Sequence, residues 1–149
     1  GFGVFDPGIN ALSIFTKIVP FPVFVELATL RFPSNRQTPV DVDIVFKSAE
    51  PGRPEMSANF NWLEETGEIW TIRVVTGRGD ELKLENGGRK LLVNGASVIE
   101  NPDNEYEQIY AHFAKLLKKG KSDVTDEPLR LVADAFLLGA RENVAEFYW

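Results

Sequence analysis

Two polar side chains near the start of the chain have the types and the spacing needed to bind a polar substrate and take a proton from it. Asp6 and Asn10 stand four residues apart in a segment that reads as the beginning of a helix, so both should project from one helical face. A carboxylate can accept a proton, and a carboxamide can both donate and accept hydrogen bonds. The spacing alone equally allows a structural role, with Asp6 as a helix N-cap and Asn10 as a solvated polar residue.

The other motifs give no further chemistry. Gly1-Phe2-Gly3 begins like the G-x-G-x-x-G turn of dinucleotide-binding folds, but the sixth position is Asp6 and no strand precedes the turn. No P-loop, G-x-S-x-G or H-E-x-x-H motif occurs. The chain has no cysteine and one histidine, which excludes a thiolate zinc site, a histidine-rich metal site and a cysteine nucleophile. We therefore predict no metal site and no cofactor-binding turn in these residues.

Composition narrows the class of protein. The 149 residues, 44% of them apolar, are enough for one domain with its own core. The net charge of −6 argues against a nucleic-acid surface, because such surfaces neutralise phosphates with Lys and Arg. No apolar run is long enough to span a membrane and no secretion signal precedes the body of the chain, so we expect the cytoplasm. Because the chain begins with Gly1 rather than Met, we expect a domain of a longer protein.

The elements that must position Asp6 and Asn10 begin with a helix. Asp6 is the predicted N-cap, Pro7 fits the first helical position, and Pro20 ends the helix. Residues 23–99 then alternate apolar and polar side chains in short runs joined by turns such as Asn94-Gly95. This pattern predicts a mainly antiparallel meander.

Two more helices are predicted after the strands. One opens at Asn101-Pro102 and stops at Gly120, and the other starts at Thr125. Each carries an apolar stripe: Tyr106, Ile109, Tyr110, Phe113, Leu116 and Leu117 on the former, and Leu129, Val132, Ala133, Phe136 and Leu137 on the latter. We therefore predict one α+β domain over residues 1–149, an open, mainly antiparallel sheet with helices packed on one face.

The strands also predict a partner for the open face of the sheet. Their apolar residues cannot all point to one side, as is the case for Val25, Leu27, Val42 and Val74. We expect the open face to be covered by a second copy of the chain, which makes the protein a homo-oligomer.

Two tryptophans are weaker candidates for substrate contact. Trp62 and Trp70 fall on neighbouring predicted strands, where an indole ring could stack on a sugar. Tryptophans in such positions more often belong to the core or to a subunit interface. The sequence leaves both alternatives open.

Two segments resemble a known family. Residues 4–14, V-F-D-P-G-I-N-A-L-S-I, resemble the segment that opens the second domain of the glucose–fructose oxidoreductase-like (Gfo/Idh/MocA) superfamily. The form of the segment is that of its bacterial D-galactose/L-arabinose 1-dehydrogenases. Residues 128–137, P-L-R-L-V-A-D-A-F-L, also look like that group. The resemblance therefore covers both ends of the chain.

The resemblance implies a fold, an activity and a missing half. Such enzymes oxidise an aldose at C1 to the lactone with NAD or NADP, which an N-terminal Rossmann domain binds through a glycine-rich turn. An E-K-P motif supplies a catalytic lysine, and neither motif is present here. The chain looks like the C-terminal substrate and oligomerisation domain alone, without the Rossmann domain, and as such it should be inactive.

The resemblance also gives the two polar residues separate roles. Asp6 would accept the proton or orient the lysine that does so, and Asn10 would bind substrate hydroxyls. Many superfamily members have His where this chain has Asn10, which places the acid–base work on Asp6 and the lysine. Two alternatives remain: a non-catalytic regulator of the same fold that senses sugar and nucleotide, and a stand-alone binder if the chain is complete.

Overall fold

The structure of the chain is a computed structural model that describes residues 1–65, 70–102 and 104–148. No helix among these residues is long and apolar enough to cross a membrane. The predicted α+β class, with open and mainly antiparallel sheets, is confirmed. In chain order the elements are α1 (Phe5–Ile18), β1 (Phe24–Pro33), β2 (Asp41–Lys47), β3 (Met56–Asn61), β4 (Thr71–Val75), β5 (Glu81–Glu85), β6 (Lys90–Val93), β7 (Ala96–Glu100), α2 (Glu105–Lys119), α3 (Glu127–Leu138) and β8 (Ala140–Val144).

The described residues form two compact units, and each has its own sheet. The first unit, residues 1–65 and 125–148, holds four described strands in the order β3-β2-β1-β8. The β1–β2 and β2–β3 pairs are antiparallel, whereas β8 runs parallel to β1. Helix α3 contacts both β1 and α1. The sequence analysis predicted one continuous meander and no strand at β8, so the partition into two sheets and the parallel edge strand are corrections to it.

The core of the first unit lies between its sheet and the two helices. The predicted alternation on β2 is confirmed, because Val42, Ile44 and Phe46 are buried while the Asp side chains between them are not. The ring of Phe5, at the start of α1, reaches the ring of Phe60 at 5.7 Å and that of Phe136 at 5.4 Å between centroids. Other buried members of this core are Val4, Leu12, Val25, Leu30, Leu131 and Ala135.

The opposite face of the first sheet is largely polar. Val25 and Val42 are buried in the core, whereas Leu27 lies 65% exposed on the other side. Near it, Arg31 donates to the carboxylates of Asp41 and Asp43, each at 2.8 Å. Since alternate residues of a strand point to opposite faces, the buried Val42 side faces the helices and the charged side faces solvent.

The second unit, residues 70–102 and 104–124, is an antiparallel meander in the order β4-β5-β6-β7, followed by α2. The registers Ile72↔Leu84, Leu84↔Leu91 and Leu91↔Ile99 place four apolar residues on one face. None of the described residues of this unit is buried. The unit is therefore amphipathic but has no closed core among these residues.

The helix boundaries correct the sequence-based expectation in part. Helix α2 begins at Glu105, after the N-cap Asn104, rather than at Asn101. It ends as predicted at Gly120, whose φ of 56° lies in the left-handed region that glycine adopts most readily. Helix α3 begins at Glu127 rather than at Thr125.

The apolar stripe predicted on α3 is also partly wrong. Leu129 is 54% and Leu137 is 81% exposed. The side that packs against β1 instead buries Leu131 and Ala135. Contact with the sheet, and not the local pattern of apolar residues, selects the buried face.

Candidate active site

The start of α1 is fixed by a contact with the connection between β1 and β2. The backbone N–H of Val4 donates to the carbonyl oxygen of Pro39 at 3.0 Å. Gly3 has a φ of +66°, and a Cβ added to it would lie 2.3 Å from the same Pro39 oxygen. A side chain at this position would thus be both conformationally strained and in collision with the backbone. The glycines that resemble a nucleotide-binding turn therefore have a packing role here.

Asp6 is not the helix N-cap, contrary to the expectation from the sequence. The helix begins at Phe5 with Val4 as its N-cap, so Asp6 is the second helical residue. The contact of Gly3 and Val4 with Pro39 turns the chain into the helix before Asp6 is reached. The Asp6 carboxylate instead accepts hydrogen bonds from the backbone N–H of Phe2, at 3.1 and 3.2 Å to its two oxygens.

Helix α1 presents Asp6 and Asn10 on its exposed side. Phe5, Gly8 and Leu12 form the buried side of the same two turns, while Asp6 and Asn10 are both exposed. The structure therefore brings the two predicted site residues to one accessible surface of a helix whose other surface is anchored in the core. A carboxylate and a carboxamide so placed can accept a proton and bind neighbouring hydroxyl groups. Their catalytic and binding roles stay predictions.

The two tryptophans do not lie on neighbouring strands. Trp62 directly follows β3 in the first unit, and Trp70 directly precedes β4 in the second. The backbone N–H of Trp62 donates to the carbonyl of Val40 at 2.8 Å, next to the Pro39 carbonyl that holds the start of α1. Trp62 is half-buried and packs against the core, whereas Trp70 is half-buried in a separate unit.

Four supporting residues of this site were missed by sequence reasoning. Gly3 and Gly8 were visible as a glycine-rich opening, but nothing in the local pattern identified their partners, Pro39 and Phe60. These partners come from connections and strands further along the chain. Among the residues that the structure describes, no group of three or more His, Asp or Glu side chains could hold a metal ion.

Comparison with known proteins relates the chain to sugar dehydrogenases. It is 44% identical over 148 residues to galactose 1-dehydrogenase of Pseudomonas fluorescens, a match that covers 99% of this chain and 48% of that protein. It is also similar to the crystal structure of D-galactose-1-dehydrogenase from Rhizobium etli, with a TM-score of 0.92 and 46% identity over 99% of this chain and 46% of that one. The chain thus spans about half the length of these relatives.

A more distant likeness concerns the fold alone. The crystal structure of KijD10, a 3-ketoreductase from Actinomadura kijaniata in complex with TDP-benzene and NADP, matches with a TM-score of 0.78 and 12% identity. That match covers 97% of this chain and 49% of the 3-ketoreductase. No model of a protein family matches the chain. The two galactose dehydrogenases confirm the predicted resemblance: the chain is related to the C-terminal domain region of galactose 1-dehydrogenase, in the glucose–fructose oxidoreductase-like superfamily.

Proposed function

We propose that this chain is the substrate domain of an NAD(P)-dependent dehydrogenase that oxidises an aldose, of the D-galactose or L-arabinose type, at C1 to the lactone. The observation that carries the proposal is the 44% identity to galactose 1-dehydrogenase over 148 residues. The exposed Asp6 and Asn10 on an anchored helix supply side chains suited to that chemistry. In this proposal the protein acts in the cytoplasm.

The reaction divides between this chain and a cofactor held elsewhere. Oxidation at C1 moves a hydride from carbon and a proton from the anomeric hydroxyl, and no side chain can accept the hydride, so NAD or NADP is required. The described residues offer no dinucleotide-binding turn, because the space beside Gly3 is filled by the Pro39 carbonyl. We therefore assign the cofactor to a separate nucleotide-binding domain, and we expect the 149-residue chain alone not to turn over.

This chain's contribution is the proton and the orientation of the sugar. Asp6 would lie within about 2.6–3.2 Å of the anomeric hydroxyl, either as the base or through a lysine of the nucleotide-binding domain. Asn10 cannot act as a base, but its amide can donate to one hydroxyl and accept from another. Trp62, whose backbone flanks the start of α1, is a better-placed candidate than Trp70 for contact with the sugar ring.

The test is aldose oxidation by the polypeptide that the gene encodes, assayed with D-galactose and L-arabinose and with either nicotinamide. Asp6→Asn keeps an oxygen acceptor for the Phe2 N–H but removes the base, so we expect kcat to fall by about 10²–10⁴-fold. Asn10→Ala should mainly raise KM. Ser13→Ala is the matched control, because Ser13 is exposed on α1 and bonds only its own helix, at 2.8 Å to Ile9 O.

Two results would contradict the proposal. An intact, folded protein that oxidises neither sugar with either nicotinamide is not this enzyme. Binding of sugar and nucleotide without oxidation would instead favour the regulator of the same fold.

Self-association through an open sheet face belongs to the same proposal. The apolar face of the second sheet, including Ile72, Leu84 and Leu91, supports it because these side chains are only half-buried. Leu84→Lys should then dissociate the oligomer in sedimentation equilibrium. A protein that is monomeric at tens of micromolar would contradict this part and leave the enzymatic part standing.

A further inference from the structure

Helix α2 exposes an apolar stripe along its whole length. Five side chains at helical spacing form this α2 stripe, with exposed fractions between 50% and 72%: Tyr106, Ile109, Tyr110, Phe113 and Leu117. No described residue of the helix is buried. Contiguous exposed apolar surface of this kind marks an interaction site in most proteins. Its occupant can be inferred from the charges beside it.

The charges on α2 are self-complementary when two copies run antiparallel. Glu105 and Glu107 lie in the first turn, and Lys118 and Lys119 in the last. At about 100° per residue, Glu107 and Lys118 flank one edge of the α2 stripe, and Glu105 and Lys119 flank the other. A two-fold axis between antiparallel helices sets each edge against the same edge of the partner. Both Glu–Lys pairs then form twice, whereas parallel helices would oppose like charges.

The surface of α2 also has a hole that fits a side chain from such a partner. A shallow depression is lined by Gln108, Ile109, His112, Phe113 and Leu116. Four of these residues have the i, i+3, i+4, i+7 spacing of the hole that receives a knob in helix packing. In the antiparallel register that pairs Glu107 with Lys118, Tyr110 of the partner lies opposite this hole. Tyr110 is 68% exposed and available to fill it.

We propose that α2 is an interface on which a second copy of this chain packs its own α2, antiparallel and about a two-fold axis. An aromatic side chain covers about 150–250 Å², so the exposed parts of the three rings in two copies bury about 800 Å². Ile109 and Leu117 raise the total to about 1,000 Å², which is the lower range of specific interfaces. The interface goes beyond the proposed function and does not depend on it.

Site-directed crosslinking tests the orientation directly, since the chain has no cysteine of its own. We expect the double variant Glu107→Cys with Lys118→Cys to form a covalent dimer with a short bis-maleimide. These positions are about 16 Å apart along their own helix, too far for a crosslink within one chain. Glu107→Cys alone should stay uncrosslinked, and so should Glu107→Cys with Lys115→Cys, because Lys115 lies on the opposite side of α2. Efficient crosslinking of the single variant would overturn the antiparallel arrangement.

Charge reversal tests the interface in solution. In sedimentation equilibrium, Lys118→Glu should raise the dimer dissociation constant about tenfold or more, because two attractive pairs become repulsive. Adding Glu107→Lys should restore it. Lys115→Glu makes the same change of charge away from the α2 stripe and should have no effect. Circular dichroism of each variant checks that α2 remains helical.

Three outcomes would overturn the proposal. One is a wild-type chain that is monomeric at tens of micromolar. Another is equal weakening by Lys115→Glu and Lys118→Glu, which would indicate net charge alone. The third is a dimer that survives Phe113→Asp but is dissociated by Leu84→Lys, which would assign association to the second sheet.

Discussion

Gly8 and Phe60 are in such close contact that a Cβ added to Gly8 would lie 3.0 Å from Cδ1 of the Phe60 ring. Helix α1 thus sits on β3 with no room for a side chain between them. Asp6 and Asn10 lie on the other side of these same helical turns. The Gly8–Phe60 contact therefore sets how far the two candidate site residues stand from the sheet.

Replacement of Gly8 by Ala should displace α1 or the Phe60 ring. We expect a loss of about 1–3 kcal/mol in the free energy of unfolding, as for other overpacked sites, and partial recovery when Phe60→Leu is added. Urea unfolding measures both effects. Gly77→Ala is the control, because a Cβ at Gly77 would meet nothing within 4 Å. Equal effects of the two alanine variants would argue against the contact.

Gly3→Ala should destabilise the chain more than Gly52→Ala. Both glycines have a positive φ, +66° and +76°, so both substitutions carry the left-handed cost of about 1–2 kcal/mol. Only Gly3 adds a collision with the Pro39 carbonyl, whereas the space around Gly52 is open. The difference between the two urea midpoints isolates the collision, and identical midpoints would mean that Pro39 moves aside freely.

Asp43 should make the stability of the first unit depend on pH. The hydrogen bond from Arg31, followed by that from Asn59, lowers the pKa of its carboxyl below the ordinary value. A carboxyl with a lower pKa in the folded state stabilises at pH above its unfolded value of about 3.9, and this contribution is lost as the pH falls through the folded pKa.

The measurement is urea unfolding of the wild type and Asp43→Asn between neutral pH and about pH 2. We expect the wild type to be more stable at neutral pH and the difference to shrink on acidification. Ser57→Ala, on the same exposed side of β3, removes no titratable group and should keep the wild-type slope. A constant difference between wild type and Asp43→Asn would contradict the assignment.

Arg130 should be irreplaceable by Lys. Its guanidinium donates to the carbonyl of Val23 at 2.7 Å, to Glu127 at 2.6 Å and to Asp134 at 2.9 Å. It thereby joins α3 to the entry of β1. A lysine keeps the charge but cannot reproduce the planar fork, so we expect Arg130→Lys to cost about 1–2 kcal/mol on unfolding. Arg141→Lys, at an exposed strand residue, is the comparison, and equal costs would show that the fork is unimportant.

Local patterns were sufficient for elements whose buried face is written in their own residues. The alternation around Val42 and Ile44 predicted β2, and Gly120 predicted the end of α2. Residues 140–144 were not predicted as a strand, because four of the five are exposed and their pairing partner is β1. An edge strand of this kind is specified by the neighbour it joins.

Tertiary contacts also explain the remaining errors. Asp6 has the residue type of an N-cap, yet the bond between Val4 and Pro39 starts the helix earlier. Leu137 is as apolar as Leu131, but only Leu131 faces β1. For the site, residue types and spacing suggested Asp6 and Asn10 themselves, while the contacts that hold their helix required the structure.

The parallel pairing of β8 with β1 has a consequence for synthesis of the protein. Thr29 pairs with Ala140, so more than a hundred residues leave the ribosome after β1 before its second neighbour exists. At roughly 5–20 residues per second, this edge of β1 stays open for several seconds. An unpaired apolar edge is the part of a nascent chain that is most prone to join the wrong strand. Chaperone dependence during translation should therefore be relieved once residue 144 has emerged.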